Sequence, residues 1–268
     1  MRTQQQEITR ELHTLPNIDP REEIEKRTNF LVQYLAQTGL NGFVLGISGG
    51  QDSLLAGLLT QRAVTERRRT DPTAKFHAML LPYGTQADRE DVVLACQVIH
   101  PDIIHDFDIQ PGVDSLVHTF ATVTGTELSD FDKGNVKARM RMIAQYAVAG
   151  SQNLLVIGTD HAAEAVMGFF TKYGDGGADI APLAGLTKGQ GKLLLKELGV
   201  PEQFITKSPS ADLLDSVPQQ ADETELGVAY TQIDRYLEGR AISDNLAAQI
   251  EARYNATRHK REQPVSYK

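Results

Sequence analysis

Along the first forty residues, apolar side chains recur every three or four positions, the spacing that collects them on one face of a helix. Ile8, Leu12 and Leu15 form such a series ahead of Pro16. Asp19-Pro20 then supplies a helix cap and a first-turn proline, with Glu22, Glu23 and Glu25 near the positive end of the helix dipole. Ile24, Thr28, Leu31, Val32 and Leu35 make one stripe, and Gly39 is its stop. Beyond Gly39 the pattern changes. Phe43-Val44-Leu45-Gly46-Ile47 is a continuous apolar run, as expected of a parallel strand buried on both faces. A glycine-rich turn follows, then a helical pattern through Leu54, Leu55, Leu58 and Leu59.

The alternation repeats. Phe76–Leu81 predicts a strand, Ala87–Ile99 a helix, Ile103–Ile109 a third strand, Pro111–Thr124 and Lys133–Ala149 helices, and Asn153–Ile157 another strand. Thr187 caps a further helix that ends at Gly199-Val200-Pro201. Strands separated by helices imply right-handed crossovers. The expected fold class is therefore α/β: a doubly wound parallel sheet of about five strands with helices on both faces. One domain is expected over residues 1–268, with N-terminal helices in 1–40. Residues 208–222, rich in Pro, Ser, Asp and Gln, read as a mobile loop.

Composition narrows the function. The chain has 27 Lys+Arg against 35 Asp+Glu, a formal net charge of −8, which argues against a nucleic-acid partner. Binding one nucleotide needs only a few local charges and stays open. The single cysteine, Cys96, permits neither an intrachain disulfide nor a cysteine zinc site, so a reducing, cytoplasmic setting is expected. Residues Met1–Gln6 have no apolar core, and no apolar stretch approaches the ~20 residues of a membrane span, so neither a signal peptide nor a membrane role is expected. Arg67-Arg68-Arg69 reads as a solvated helix end.

The chemistry concentrates in Ser48-Gly49-Gly50-Gln51-Asp52-Ser53, between the first buried strand and its helix. Ligands in open α/β sheets bind beyond the carboxyl ends of strands. Adjacent glycines let backbone N–H groups approach an anion, the helix adds its positive end, and the two serines add hydroxyls. A phosphate or pyrophosphate is the expected ligand. The loop lacks the Gly-Lys-Ser/Thr ending of a Walker A motif. Asp52 inside a phosphate cradle requires a cation between the two, and Mg²⁺ is the natural one.

Ser48–Ser53 resembles the pyrophosphate loop of the N-type ATP pyrophosphatases, with the adenine nucleotide alpha hydrolase-like fold. Within that superfamily, Gly158–Glu164 and Gly168–Asp179 resemble the ammonia-dependent NAD synthetases. So do Phe131–Arg139, Pro182–Lys188, Asp222–Gly227 and His259–Arg261, over nearly the whole chain. The resemblance implies adenylation of nicotinate adenine dinucleotide (deamido-NAD) by ATP, release of pyrophosphate, and amidation by ammonia to give NAD and AMP. It implies ATP contacts at Gly46, Ser48, Gly49, Gly50, Gln51, Asp52, Ser53, Gln86, Thr159, Lys188 and Ser210, where the family has threonine at the last. It gives deamido-NAD to Phe131, Asn135, Arg139, Phe169, Lys172, Asp175, Asp179, His259 and Lys260, in a site formed at a homodimer interface. It assigns Mg²⁺ to Asp52 and Glu164. The catalytic candidates are Asp52, Lys188 and, as base toward ammonia, Asp175. His161 is expected beside the metal or as a helix cap rather than as a ligand. Leu80 stands where relatives often carry arginine. About 40 residues precede the first strand, too few for a fused glutaminase, so free ammonia is expected. Two rivals remain at this point: another ligase of the same superfamily, such as a tRNA-modifying one, and an ATP-binding sensor without turnover.

Overall fold

Local sequence signals set the ends of the elements in the computed structural model, which describes residues 2–85, 88–211, 213–217 and 219–267. Helix α1 (Thr3–Glu11) precedes α2 (Pro20–Thr38). The Asp19 carboxylate accepts hydrogen bonds from the N–H groups of Arg21 and Glu22, and Gly39 ends α2 in the left-handed conformation, φ 67°. Then come β1 (Gly42–Gly46), α3 (Gln51–Arg67), β2 (Lys75–Leu80), α4 (Arg89–Ile99), β3 (Ile103–Asp106), α5 (Gln110–Thr124), α6 (Asp130–Gln152), β4 (Leu155–Val156) and α7 (Ala162–Met167). Helix α8 (Lys188–Glu197) starts from a capping box in which Thr187 and Gln190 satisfy each other's backbone N–H groups. The chain continues through α9 (Glu202–Thr206), β5 (Ser210–Ala211), β6 (Gln220–Ala221), α10 (Asp222–Leu226), α11 (Tyr230–Leu237), α12 (Asp244–Ala256) and α13 (Arg258–Arg261).

The main sheet has the order β3-β2-β1-β4, with every pairing parallel. Phe43 lies opposite Phe76 and Leu155, and Val44 opposite His77 and Val156. Because side chains alternate across a strand, Phe43 and Leu45 enter a core shared with Leu31, Leu54, Ile99 and Leu194 of α2, α3, α4 and α8. Val44 and Met79 point the other way, into a core with Val113 of α5 and Ala144 of α6. Both faces are therefore covered, as the apolar run predicts. A third cluster unites Ile8, Val166, Ile233 and Ile250 from α1, α7, α11 and α12. Cys96 is buried in the first core.

The sheet has four strands rather than about five. Where a fifth would lie, among the described residues only Ile180 pairs, as an isolated parallel bridge to Ile157. The Val156 N–H is taken by the Asp179 carboxylate at 2.8 Å, and the Asp179 N–H donates to the Val156 carbonyl at 2.9 Å. A side chain thus replaces a strand's carbonyl, and the pairing stops there. Within 208–222 lies the antiparallel pair β5–β6, and Leu213, Asp215 and Ser216 bond to α6. Lys137 donates to the Leu213 carbonyl and to Asp215, Lys133 also reaches Asp215, and Asp130 accepts from the N–H groups of Asp215 and Ser216. The arginine run ends α3 in surface pairs, Arg67–Asp71 and Arg69–Glu66, while Arg68 reaches Asp102. No helix among the described residues is long and apolar enough to cross a membrane.

Candidate active site

A cavity of about 440 Å³ opens beyond the carboxyl ends of β1 and β4, between α6 and the 207–222 segment. Its floor is the Ser48–Ser53 loop. Gly49 adopts φ 75°, and a Cβ there would stand 2.9 Å from the Val92 backbone nitrogen, so the turn packs on α4 and only glycine fits. The Gly50 N–H donates to Ser48 Oγ at 3.2 Å, and the Ser48 N–H to Ser53 Oγ at 3.2 Å. The two hydroxyls lie 3.1 Å apart. These N–H and hydroxyl groups engage one another at the start of α3 and face the cavity, the kind of donor set an anion cradle needs.

Asp52, in the first turn of α3, meets Lys188 at 2.6 Å. Lys188 is buried because it opens α8, whose first N–H groups are held by the Asp234 carboxylate: Lys188 N at 3.0 Å and Gly189 N at 2.7 Å. The Lys188 ammonium also lies 5.1 Å from the centre of the Tyr230 ring. Burial is the largest influence on each and opposes both charges, but the surrounding groups together outweigh it: Lys188, His161 and hydrogen bonds lower the Asp52 carboxyl, and Asp52, Glu164 and Asp222 raise the Lys188 ammonium.

Glu164, on α7, is pushed well above the usual carboxylate range by burial and by the nearby charge of Asp52. Asp160 is raised in the same way, by burial and by Asp175 and Asp52. The site therefore gathers more carboxylates than Lys188 neutralises, a donor set of hard oxygens that fits Mg²⁺. His161 lies between Asp52 and Glu164, at 3.6 and 3.7 Å from their oxygens. It does not cap α7 through its side chain, and among the described residues neither buried ring nitrogen has a hydrogen-bond partner. Burial lowers its pKa to about 4, so the imidazole is neutral.

Of the residues expected at ATP, Gly46, Ser48, Gly50, Gln51, Asp52, Ser53, Thr159, Lys188 and Ser210 line the cavity. Gln86 lies outside the described residues. The Gln51 amide is turned toward the carbonyls of Ile205 and Lys207. Of those expected at the dinucleotide, Phe131, Asn135, Phe169, Asp175 and Lys260 line it, and so does Phe170. Asn135 is oriented by Thr171 Oγ1 at 2.8 Å, Asp175 accepts from the Thr171 N–H at 2.9 Å, and Lys260 donates to the carbonyls of Gly168 and Phe170.

Arg139, Lys172 and His259 are not brought to this cavity. They form a separate chain of contacts, with Arg139 donating to the Lys172 carbonyl and the Lys172 ammonium to the His259 carbonyl. Asp179 occupies both oxygens with Val156 N and Tyr146 Oη. Sequence reasoning did not single out Lys207, which joins Asp91 at 2.6 Å and lines the cavity, nor Asp222, Tyr230 and Asp234. Asp222 opens the Asp222–Gly227 motif and Lys207 lies three residues before Ser210, but nothing in their spacing marked a role. Leu80 is buried in the core behind the loop.

With this geometry in place, similarity to known proteins is informative. A family model for NAD synthase matches residues 23–264. An NH(3)-dependent NAD(+) synthetase of Bacillus licheniformis is 60% identical over 264 residues, covering 98% of this chain and 97% of the relative. The crystal structure of an NAD+ synthetase from Burkholderia pseudomallei superposes with a TM-score of 0.83 at 47% identity, covering 97% and 96% of the two chains. An NMN synthetase structure from Francisella tularensis has a TM-score of 0.82 at 34% identity, covering 94% of this chain and 99% of that one.

Proposed function

The chain belongs to the NAD synthase family, and from that premise we propose how its residues divide the work of an ammonia-dependent, C–N bond-forming ligase. The reaction joins nicotinate adenine dinucleotide and ammonia at the expense of ATP. A carboxylate is a poor acceptor for ammonia because oxide is a poor leaving group. Its attack on the α-phosphorus of ATP makes an acyl adenylate and releases pyrophosphate. Ammonia then displaces AMP.

The observation that carries this reading is the meeting of the Ser48–Ser53 cradle with the ion pair of half-buried Asp52 and buried Lys188 at one cavity. The first step builds charge on departing pyrophosphate, and fixed donors there lower its barrier most. Backbone N–H groups, Ser48, Ser53 and the Lys188 ammonium supply those donors. Asp52 and Glu164 would hold Mg²⁺, which when bound neutralises phosphate charge. Phe131 and Phe169 also line the cavity and offer aromatic faces on which the pyridine ring would stack. Asp175 is the base toward ammonia, its carboxyl raised by the protein crowded around it. The 208–222 segment acts as a lid that keeps water from the adenylate. Arg139, Lys172 and His259 reach the dinucleotide across a homodimer interface. Supporting that arrangement, Leu116 and Val123 of α5 and Ile143 of α6 are exposed apolar side chains on neighbouring helices.

The test is AMP release by the purified chain with ATP, Mg²⁺ and ammonium chloride. Turnover is expected only with nicotinate adenine dinucleotide, and not when glutamine replaces ammonium or a mononucleotide replaces the dinucleotide. Release without the dinucleotide, or robust turnover on glutamine alone, would overturn the assignment.

A further inference from the structure

The buried imidazole of His161 has no role in the reaction as described above. Its two ring nitrogens are shut off from solvent, and among the described residues neither meets a donor or acceptor. Native proteins rarely leave a buried polar group in that state without a ligand or function to account for it. The side chain is 3% exposed. One flank faces the Tyr230 ring, at 6.2 Å between centroids, and the neighbouring Ala162, Ala163 and Val166 are buried and apolar. The polar groups facing its Nε2 are Asp52 Oδ1 at 3.6 Å and Glu164 Oε2 at 3.7 Å. Asp52 uses its other oxygen, Oδ2, for Lys188.

Those two distances decide what His161 can be doing. Both are too long for a hydrogen bond, which closes to about 2.7–3.2 Å. They match instead the separation of ligand atoms around one ion, since two atoms each ~2.1 Å from a shared metal stand ~3–4 Å apart. One atom from each of Asp52, His161 and Glu164 lies within 4.8 Å of the others. We propose that His161 is a third ligand at the Asp52–Glu164 site when that site takes a nitrogen-accepting divalent ion such as Co²⁺ or Zn²⁺. Magnesium prefers oxygen and is held by the carboxylates alone, whereas imidazole suits the later transition ions. The site is thus of mixed character: it accepts Mg²⁺ as the family's chemistry requires, and the imidazole favours a different class of ion. The inference rests on the assignment of Asp52 and Glu164 to a metal.

The test uses the full chain with the metal alone. Co²⁺ is titrated into the wild type and into His161→Asn, followed by visible absorption and by the paramagnetically shifted imidazole N–H signal in the proton NMR spectrum. Mg²⁺ affinity is measured in parallel, and circular dichroism checks that the variant folds. The expected result is a ligand-shifted N–H signal in the wild type, absent from the variant, with Co²⁺ affinity lower by about tenfold or more and Mg²⁺ affinity unchanged. Asp52→Asn should weaken both ions. Equal Co²⁺ affinity in wild type and His161→Asn, or an equal loss for Mg²⁺, overturns the third-ligand assignment. A wild type that binds neither ion overturns the metal reading beneath it as well. Should His161→Asn fail to fold, His161→Gln takes its place, and survival of the shifted N–H signal there would count against the proposal.

Discussion

The ammonium of Lys188, which is buried, and the carboxylate of Asp52, which faces the cavity, meet at 2.6 Å. Removing the charge from Asp52 while keeping its shape leaves an acceptor for Lys188 but no anionic metal ligand. Asp52→Asn is expected to lower Mg²⁺-dependent AMP release by about 10²-fold or more, with the circular dichroism spectrum unchanged; wild-type turnover would remove Asp52 from the site. Asp234 offers a pH prediction. Burial raises its carboxyl to about 6, while its cap bonds to Gly189 and Lys188 pull the other way. The folded state therefore binds a proton more tightly than the unfolded chain. The stability tied to this group is fully present below the unfolded value of ~3.9 and is lost as pH rises through about 6. In urea unfolding, Asp234→Asn should gain on the wild type by roughly 2–3 kcal/mol between pH 4 and pH 7. A difference that stays flat over that range would show that Asp234 titrates normally.

The 208–222 segment hangs on α6 through Asp130, which accepts from Asp215 N, Ser216 N and Ser216 Oγ. Those bonds hold the Asp130 carboxyl down at about 2. Asp130→Ala should speed amide exchange at residues 213–217 by about tenfold, the worth of roughly one hydrogen bond, while exchange in β1 and β2 stays put. Uniform acceleration would mean global destabilisation instead. How legible such elements were depended on length and capping. Asp19, Gly39 and Thr187 announced their helix ends, and β1 stood out as an apolar run, whereas β3, which ends in His105 and Asp106 and is half exposed, was readable only from its place in the alternation. Helix α6 begins three residues earlier than its pattern suggested, because Ser129 caps it ahead of the apolar stripe. Past Val200 the sequence reading placed no elements. There α9, α10 and α13 are five residues or fewer, too short to show a period. Asp222, Tyr230 and Asp234 lie in that stretch; Asp222 and Tyr230 bond each other, but what they and Asp234 support, Lys188, is more than thirty residues away, so their roles were invisible. The Ser48–Ser53 loop was legible because its chemistry is local to one turn.

At the scale of the molecule, the sheet places the chemistry at one end and leaves an apolar face on α5 and α6. Leu116, Val123 and Ile143 remain exposed there, more than a solvated helix pair needs. Light scattering is expected to report twice the 29.5 kDa of the chain. Ile143→Glu should halve that mass and weaken dinucleotide use by about tenfold or more, because Arg139 lies four residues away on the same helix. A monomeric wild type with full activity would refute the shared site. The sheet's margin carries a different consequence. Parallel sheets that end on a bare strand expose a template on which other chains can add. Here Asp179 closes the Val156 N–H and Ile180 takes up the next position before the chain turns away. The Asp179 carboxylate that ends the pairing also puts a negative charge on that margin, so an incoming strand meets both a filled donor and repulsion. The same residue that shortens the sheet thereby guards its β4 margin against edge-to-edge pairing once the fold has formed.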